Sequence, residues 1–157
     1  MILGLDLATK TGYAVVNEGT GAVVGSGVWD LSKSKEAIGK HNGHMFLDLL
    51  KRIGQCCSDH CVGTLCYERA HFRGGPATRV CVGLSSTALL AAAGLGLRVM
   101  DVPTMTLKKF ATGDYRAGKD AMKKAAKGWL GREPVDSDEA DACAVSMWAL
   151  AQLKEEK

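Results

Sequence analysis

The chain has 157 residues, 46% of them apolar and 24% charged, with a formal net charge of +3. That is enough for one domain with a real core and too little for two comfortable ones, and the composition is ordinary for a soluble globular protein. No apolar run approaches the ~20 residues of a membrane span, and the opening MILGLDLATK has no basic n-region or small-residue cleavage site, so the expectation is a cytoplasmic, membrane-free, single unit over residues 1–157.

Residues 1–7, MILGLDL, are a short apolar run interrupted by one acid, Asp6. Residues 11–16, TGYAVV, and 22–29, AVVGSGVW, are rich in valine and aromatics and are separated by a polar Asn-Glu-Gly-Thr-Gly stretch. Together they predict a three-stranded antiparallel meander. Residues 32–40 read as a loop. Met45, Phe46, Leu49, Leu50, Ile53 and Cys57 then recur at helical spacing. Residues 62–68, VGTLCYE, read as a strand, followed by a Gly/Pro-rich basic loop, 69-RAHFRGGPATR-79. A helix of small and apolar residues over 80–93 is stopped by Gly94 and Gly96. Residues 97–102, LRVMDV, form a strand. Pro103 and Thr104 open a short helix to Phe110, a basic helix covers 119–130, and a last helix runs from Asp136 to the C-terminus. Antiparallel strands first, then strands alternating with helices, predict an α/β fold: a mixed five-stranded sheet with helices on both faces.

Six cysteines in a cytoplasmic chain read mostly as free thiols. The cluster 56-CCSDHC-61 offers Cys56, Cys57, His60 and Cys61 to zinc, but no second Cys-x-x-Cys pair exists, and the helix periodicity claims Cys56 or Cys57 for the core.

The stretch 136-DSDEADACAVSMWAL-150 places Asp136, Asp138, Glu139 and Asp141 at the mouth of an apolar helix. Capping accounts for two of them: Asp136 as N-cap and Glu139 three residues on complete a capping-box pattern. Asp138 and Asp141 remain, at i and i+3 on one face, where like charges repel unless a cation lies between them. Two further acids sit in costly places. Asp6 interrupts the first strand, and Glu68 ends the strand TLCYE, where ligand sites form in open α/β sheets. If those strands are neighbours, four carboxylates meet. An oxygen-only donor set favours magnesium or manganese, and a pair of such ions is the apparatus for in-line attack of water on a phosphodiester. Between residues 106 and 132 eight basic residues face only Asp114 and Asp120. That surplus suits a polyanion, although a solvated helical face has the same composition.

These pieces, GLDLATKTGYAVV, CYERAHF, VPTMTLKKFATGDYRAGKDAM and DSDEADACAVSMWAL, occur in an order that resembles the RuvC-type Holliday junction resolvases of the RNase H-like nuclease superfamily. The resemblance reaches from the first residues almost to the last. It implies an RNase H-like fold and a magnesium-dependent endodeoxyribonuclease, with two ions per site and manganese able to substitute. It makes Asp6, Glu68, Asp138 and Asp141 the catalytic metal-holding tetrad. Lys108 or Lys109, and Lys119, take the positions of lysines that contact junction phosphates, and Phe72 that of an aromatic wedged against opened bases, a role that base stacking explains. Arg73, Arg79 and Arg116 extend the DNA-binding surface. The expected partners are four-way junction DNA and a second copy of the chain, with no small-molecule cofactor, and the expected products carry 5′-phosphate and 3′-hydroxyl ends.

Several positions depart from the family pattern. Leu7-Ala8-Thr9 follows the first Asp where a proline and glycine are usual, and one extra residue lets His71 compete with Phe72 for the wedge position. The slightly compact chain fits a phage or prophage member. Helix 80–93 is either the dimer contact or a buried core helix. Rival functions are a nuclease for flaps, forks or RNA–DNA hybrids and a non-catalytic junction-binding module. An actin-like ATPase domain lacks support, because no Gly-rich phosphate loop is present.

Overall fold

The computed structural model describes residues 1–35, 41–69 and 75–156. Its elements are β1 (Ile2–Asp6), β2 (Lys10–Val16), β3 (Val23–Asp30), α1 (Gly43–His60), β4 (Thr64–Arg69), α2 (Pro76–Leu95), β5 (Arg98–Pro103), α3 (Thr104–Thr112), α4 (Lys119–Leu130) and α5 (Ser137–Glu155), with a 3-10 turn at Ser32–Lys35. The strands form one sheet in the order β3-β2-β1-β4-β5. Strand β2 is antiparallel to β1 and β3, and β4 is parallel to β1 and β5. This is the mixed five-stranded sheet that the sequence predicts, with its elements in the predicted order.

Alternation along the strands sorts side chains between two layers. Leu3, Leu5, Val15 and Leu65 face one way, onto Leu49 and Ile53 of α1 and Leu84 and Ala88 of α2. Ile2, Val16, Cys66 and Val102 face the other way, onto Leu107 of α3, Met122 of α4 and Ala144, Val145 and Ala149 of α5. Helix α5 touches the sheet with almost nothing in between. A β-carbon built on Gly4 would lie 2.6 Å from the Ala142 carbonyl oxygen and 2.6 Å from the Ser146 nitrogen. One built on Gly12 would lie 1.8 Å from the Asp138 carbonyl oxygen. Those glycines are therefore required by a backbone-to-backbone crossing, not by an unusual φ.

The larger differences from the sequence reading are in the helix boundaries of α1 and α2. Helix α2 starts at Pro76 instead of residue 80, because proline suits the first helical turn, where its missing N–H is no loss. Arg79 is therefore helical rather than in the loop. The helix also runs through Gly94 and stops at Gly96, whose left-handed φ of 65° ends it. Helix α1 starts at Gly43, continues to His60 and is ended by Cys61, the one non-glycine at positive φ among the described residues.

Helix α2 also changes the reading of apolar runs. Ala77–Leu95 has mean hydropathy 1.4 and, by length and composition alone, could cross a membrane, yet only 28% of it is buried within the chain. Leu84, Ala88, Ala91 and Ala92 pack inward, while Val82, Leu89, Leu90 and Leu95 are exposed. The helix thus buries a narrow stripe and leaves open apolar surface on its other sides. All six cysteines are free thiols. Burial foremost pushes Cys56 up to about 12 and Cys57 up to about 11, which suits core packing and not metal binding.

Gly12→Ala is expected to destabilise the protein by roughly 3 kcal/mol or more in urea unfolding, as an overpacked core site does. Gly63→Ala, where an added β-carbon meets nothing within 4 Å, is expected to stay within about 0.5 kcal/mol of the parent. Equal stabilities for the two variants would refute the backbone crossing.

Candidate active site

Strand β1 ends at Asp6, and β4 runs parallel beside it with Leu5 opposite Tyr67. The next pair along is Asp6 and Glu68. Asp6 shares its face with Ile2 and Gly4, and Glu68 shares its face with Cys66, so both point toward the α5 layer. On its other side Asp6 is paired with Gly12, and directly over Gly12 lies the backbone of Asp138. The strand ends and the first turn of α5 are thereby brought to one edge of the sheet.

The start of α5 is fixed by its own side chains. Asp136 accepts hydrogen bonds from the Asp138 nitrogen at 2.9 Å and the Glu139 nitrogen at 3.0 Å, the N-cap expected of it. Glu139 does not close the capping box as expected. Its Oε2 accepts from the Val135 nitrogen at 2.5 Å, and both its oxygens accept from the Arg132 guanidinium, at 2.6 and 3.1 Å. The fork of Arg132 draws the carboxylate away from the Asp136 nitrogen. Glu139 has no exposed surface. Burial pulls its carboxyl upward, but the bonds from Arg132 and Val135 outweigh this and leave it below the usual range.

Asp6, Asp138 and Asp141 are shifted in the opposite direction. Burial, then the charges of Glu68, Asp141, Asp138 and Asp136, hold Asp6 well above the usual carboxylate range. Burial, followed by Glu68 and Asp138, pushes Asp141 up to about 7, against the pull of Lys108 and Lys119. Asp138 is raised by burial and Asp136, opposed by a bond from Ser137 and by Lys119 and Lys10. The four acids singled out in the sequence form one electrostatic unit, with Lys108 and Lys119 beside it.

Other expected residues are placed less centrally. Lys109 is exposed and is not among the groups acting on the acids. Arg116 is exposed, its guanidinium 5.1 Å from the Tyr115 ring. Arg79 is exposed on α2, on the opposite layer from α5. Phe72 and Arg73, with the rival His71, lie outside the described residues. Within the basic segment, Lys127 pairs with Glu133 at 2.5 Å and Arg132 with Glu139, so these two are engaged in the structure. Two residues escaped the sequence reading. Lys10, four positions after Asp6, acts on Asp138; its nearness to an acid in a tight turn was a usable signal. Thr104 donates its hydroxyl to Glu68, and nothing in the spacing announces that contact.

The acids suit a hard divalent cation by their chemistry: all are oxygen donors, and three of them carry raised carboxyls that a cation would relieve. Among the described residues no three His, Cys, Asp or Glu groups are drawn together into a ligand cluster. The fit therefore rests on donor type and mutual repulsion.

No family model matches the chain. A crossover junction endodeoxyribonuclease RuvC from Anaeromyxobacter sp. (strain Fw109-5) is 33% identical over 153 residues, 96% of this chain and 72% of that relative. A protein of the same name from Anaeromyxobacter sp. (strain K) is 46% identical over 65 residues, a match that spans 41% of this chain and 35% of the relative's length. Thermus thermophilus RuvC in complex with a Holliday junction substrate has a TM-score of 0.79 at 19% identity, covering 98% of this chain and 94% of that one. The sheet order and this likeness define an RNase H-like fold. The chain belongs to the RuvC family of crossover junction endodeoxyribonucleases.

The shift at Asp141 has a sign that can be tested. Its carboxyl titrates at about 7 in the folded chain and at 3.8 ordinarily. Between those values the folded form holds a proton that the unfolded form has released, so stability falls as pH rises from 4 to 7. The full loss has an upper bound of about 4 kcal/mol. In chelator at pH 8, Asp141→Asn is expected to melt roughly 3 °C or more above the parent and to show a flatter pH dependence. A variant melting at or below the parent, with parental pH dependence, would contradict the geometry.

Proposed function

We propose that this chain is a magnesium-dependent endodeoxyribonuclease that resolves four-way DNA junctions as a homodimer. The observation carrying this reading is the coupled set Asp6, Glu68, Asp138 and Asp141 at one sheet edge, each of Asp6, Asp138 and Asp141 raised in part by a neighbouring acid. The names of the relatives and the bound junction in the Thermus complex support the substrate. Two magnesium ions, or manganese in their place, held by the four carboxylates would supply the positive charge that activates water and stabilises the departing oxygen.

The protein's own groups do the rest. Lys108 and Lys119 stand beside the acids and offset the negative charge of an arriving phosphate. Lys109 and Arg116, with Arg73 and Arg79, bind the backbone further out, and Phe72 stacks on a base freed at the crossover. Water attacks phosphorus and the bond to the 3′ oxygen breaks, leaving 5′-phosphate and 3′-hydroxyl ends. Residues 1–157 act as one unit without a small-molecule cofactor, in the cytoplasm where the DNA is.

Two symmetric nicks call for two-fold symmetry. The exposed apolar side of α2 supports it. Leu50, Gly54, Leu90, Ala91, Gly94 and Leu95 line a groove of about 430 Å³ between α1 and α2, and a second copy covering it would bury surface that is otherwise open to water.

Cleavage of a labelled four-way junction beside linear duplex, a flap and an RNA–DNA hybrid tests the proposal. Paired nicks confined to the junction, lost in chelator, are expected. Asp6→Asn and Glu68→Gln are each expected to lower the rate by roughly 100-fold or more while junction binding survives. Lys108→Ala and Lys119→Ala should weaken binding and lower its salt slope by about 1 each. Equal cutting of flaps or hybrids would keep the four-acid site and overturn the junction assignment. A parental rate from Asp6→Asn would sink the site itself.

A further inference from the structure

Glu68 has one hydrogen-bond partner among the described residues, and it comes from another element. The hydroxyl of Thr104, the first residue of α3, donates to Glu68 Oε1. The topology explains the meeting. Strands β4 and β5 are parallel with Glu68 opposite Val102, so the chain leaving β5 passes beside Glu68 within two residues. Pro103, at φ −66° and ψ 141°, then turns the chain into α3.

Two further observations bear on the role of this hydroxyl. Thr104 follows the N-cap Pro103, whose ring offers no capping group, and its hydroxyl goes to Glu68 and not to the helix backbone. Four residues on, Lys108 lies on the same face of α3. One face of a short helix therefore carries both the hydroxyl that donates to Glu68 and a lysine.

We propose that Thr104 is a positioning residue for Glu68: its hydroxyl occupies Oε1, holds the carboxylate in one orientation and leaves Oε2 to a divalent cation. The inference rests on the four-acid reading above. A carboxylate that holds a cation is usually oriented by such a partner, whose loss weakens metal binding without removing a ligand. Thr104 touches neither substrate nor metal in this account and acts only through Glu68.

The test is calorimetric titration of the full chain with manganese chloride, comparing the parent with Thr104→Val, Thr104→Ala, Thr104→Ser and Glu68→Gln. Cooperative unfolding in chelator confirms that each variant is folded. Thr104→Val and Thr104→Ala are expected to bind manganese about 10-fold more weakly, and Thr104→Ser to stay within about twofold of the parent. In junction cleavage, Thr104→Val should need more manganese for half-maximal rate, with most of kcat restored at saturation. Glu68→Gln should lose at least as much affinity as Thr104→Val. If Glu68→Gln weakens binding while both hydroxyl-free variants bind like the parent, the positioning role is overturned and the four-acid site stands. If Glu68→Gln also binds like the parent, the four-acid reading fails and this inference fails with it.

Discussion

The contact on which the rest depends is the crossing of α5 over β1 and β2 without intervening side chains. At Gly4 and Gly12 the helix backbone lies where a β-carbon would be. This is a steric constraint with an electrostatic result. Bringing the helix down at Gly12 sets Asp138 above the strand partner of Asp6, so the approach that closes the core also brings strand and helix acids together. The helix is built for it: Ala140, Ala142, Ala144 and Ala149 are all fully buried, and the buried Ser146 hydroxyl donates to its own helix at the Cys143 carbonyl. Larger side chains on this face would lift α5 from the sheet and separate the acids.

Acids a few residues apart in one helix turn meet opposite fates. Glu139 is completely buried yet titrates low, because Arg132 and the Val135 nitrogen donate to it. Arg132 also donates to Ser26 on β3 at 3.0 Å, tying the loop between α4 and α5 to the edge of the sheet. Removing one partner from such a pair would leave an uncompensated buried charge. Asp141, two residues later, has no such donor among the described residues and is raised to about 7. Glu139 and Asp136 thus hold the helix start through their hydrogen bonds, while Asp138 and Asp141 keep raised carboxyls near Asp6 and Glu68.

The sheet was legible because its signals are local: valine-rich alternation, a polar turn and strand–helix alternation. The acids were legible because Asp6 and Glu68 sit where a lone charge is costly, in a strand and near a strand end, and because Asp138 and Asp141 repel each other on one face of a helix mouth. What the sequence hid is non-local. Glu139 looks like half of a capping box until Arg132, on the preceding loop, is seen to claim it. Thr104 looks like a helix starter until the β4–β5 register puts Glu68 beside it. Lys108 and Lys109 are equivalent in sequence, and only the orientation of α3 gives Lys108 the effect on Asp141. The start of α2 was misplaced because Gly74-Gly75-Pro76 reads as a loop, whereas proline in a first turn is compatible with helix.

Register finally explains why one sheet can carry both a charged edge and an apolar core. Asp6 points toward α5 because it is an even number of residues from Ile2 and Gly4, and Glu68 because it is two residues from Cys66. A slip of one residue in β1 would turn Asp6 into the layer of Leu3, Leu5 and Leu65, and would aim Leu5 at the acids. Burying an unpaired carboxylate there costs several kcal/mol or forces its protonation. It would also replace Gly4 with a leucine beneath Ala142, where no side chain fits. Sterics and charge therefore select the same register. The pairing that lets α5 pack is the pairing that puts Asp6 beside Glu68.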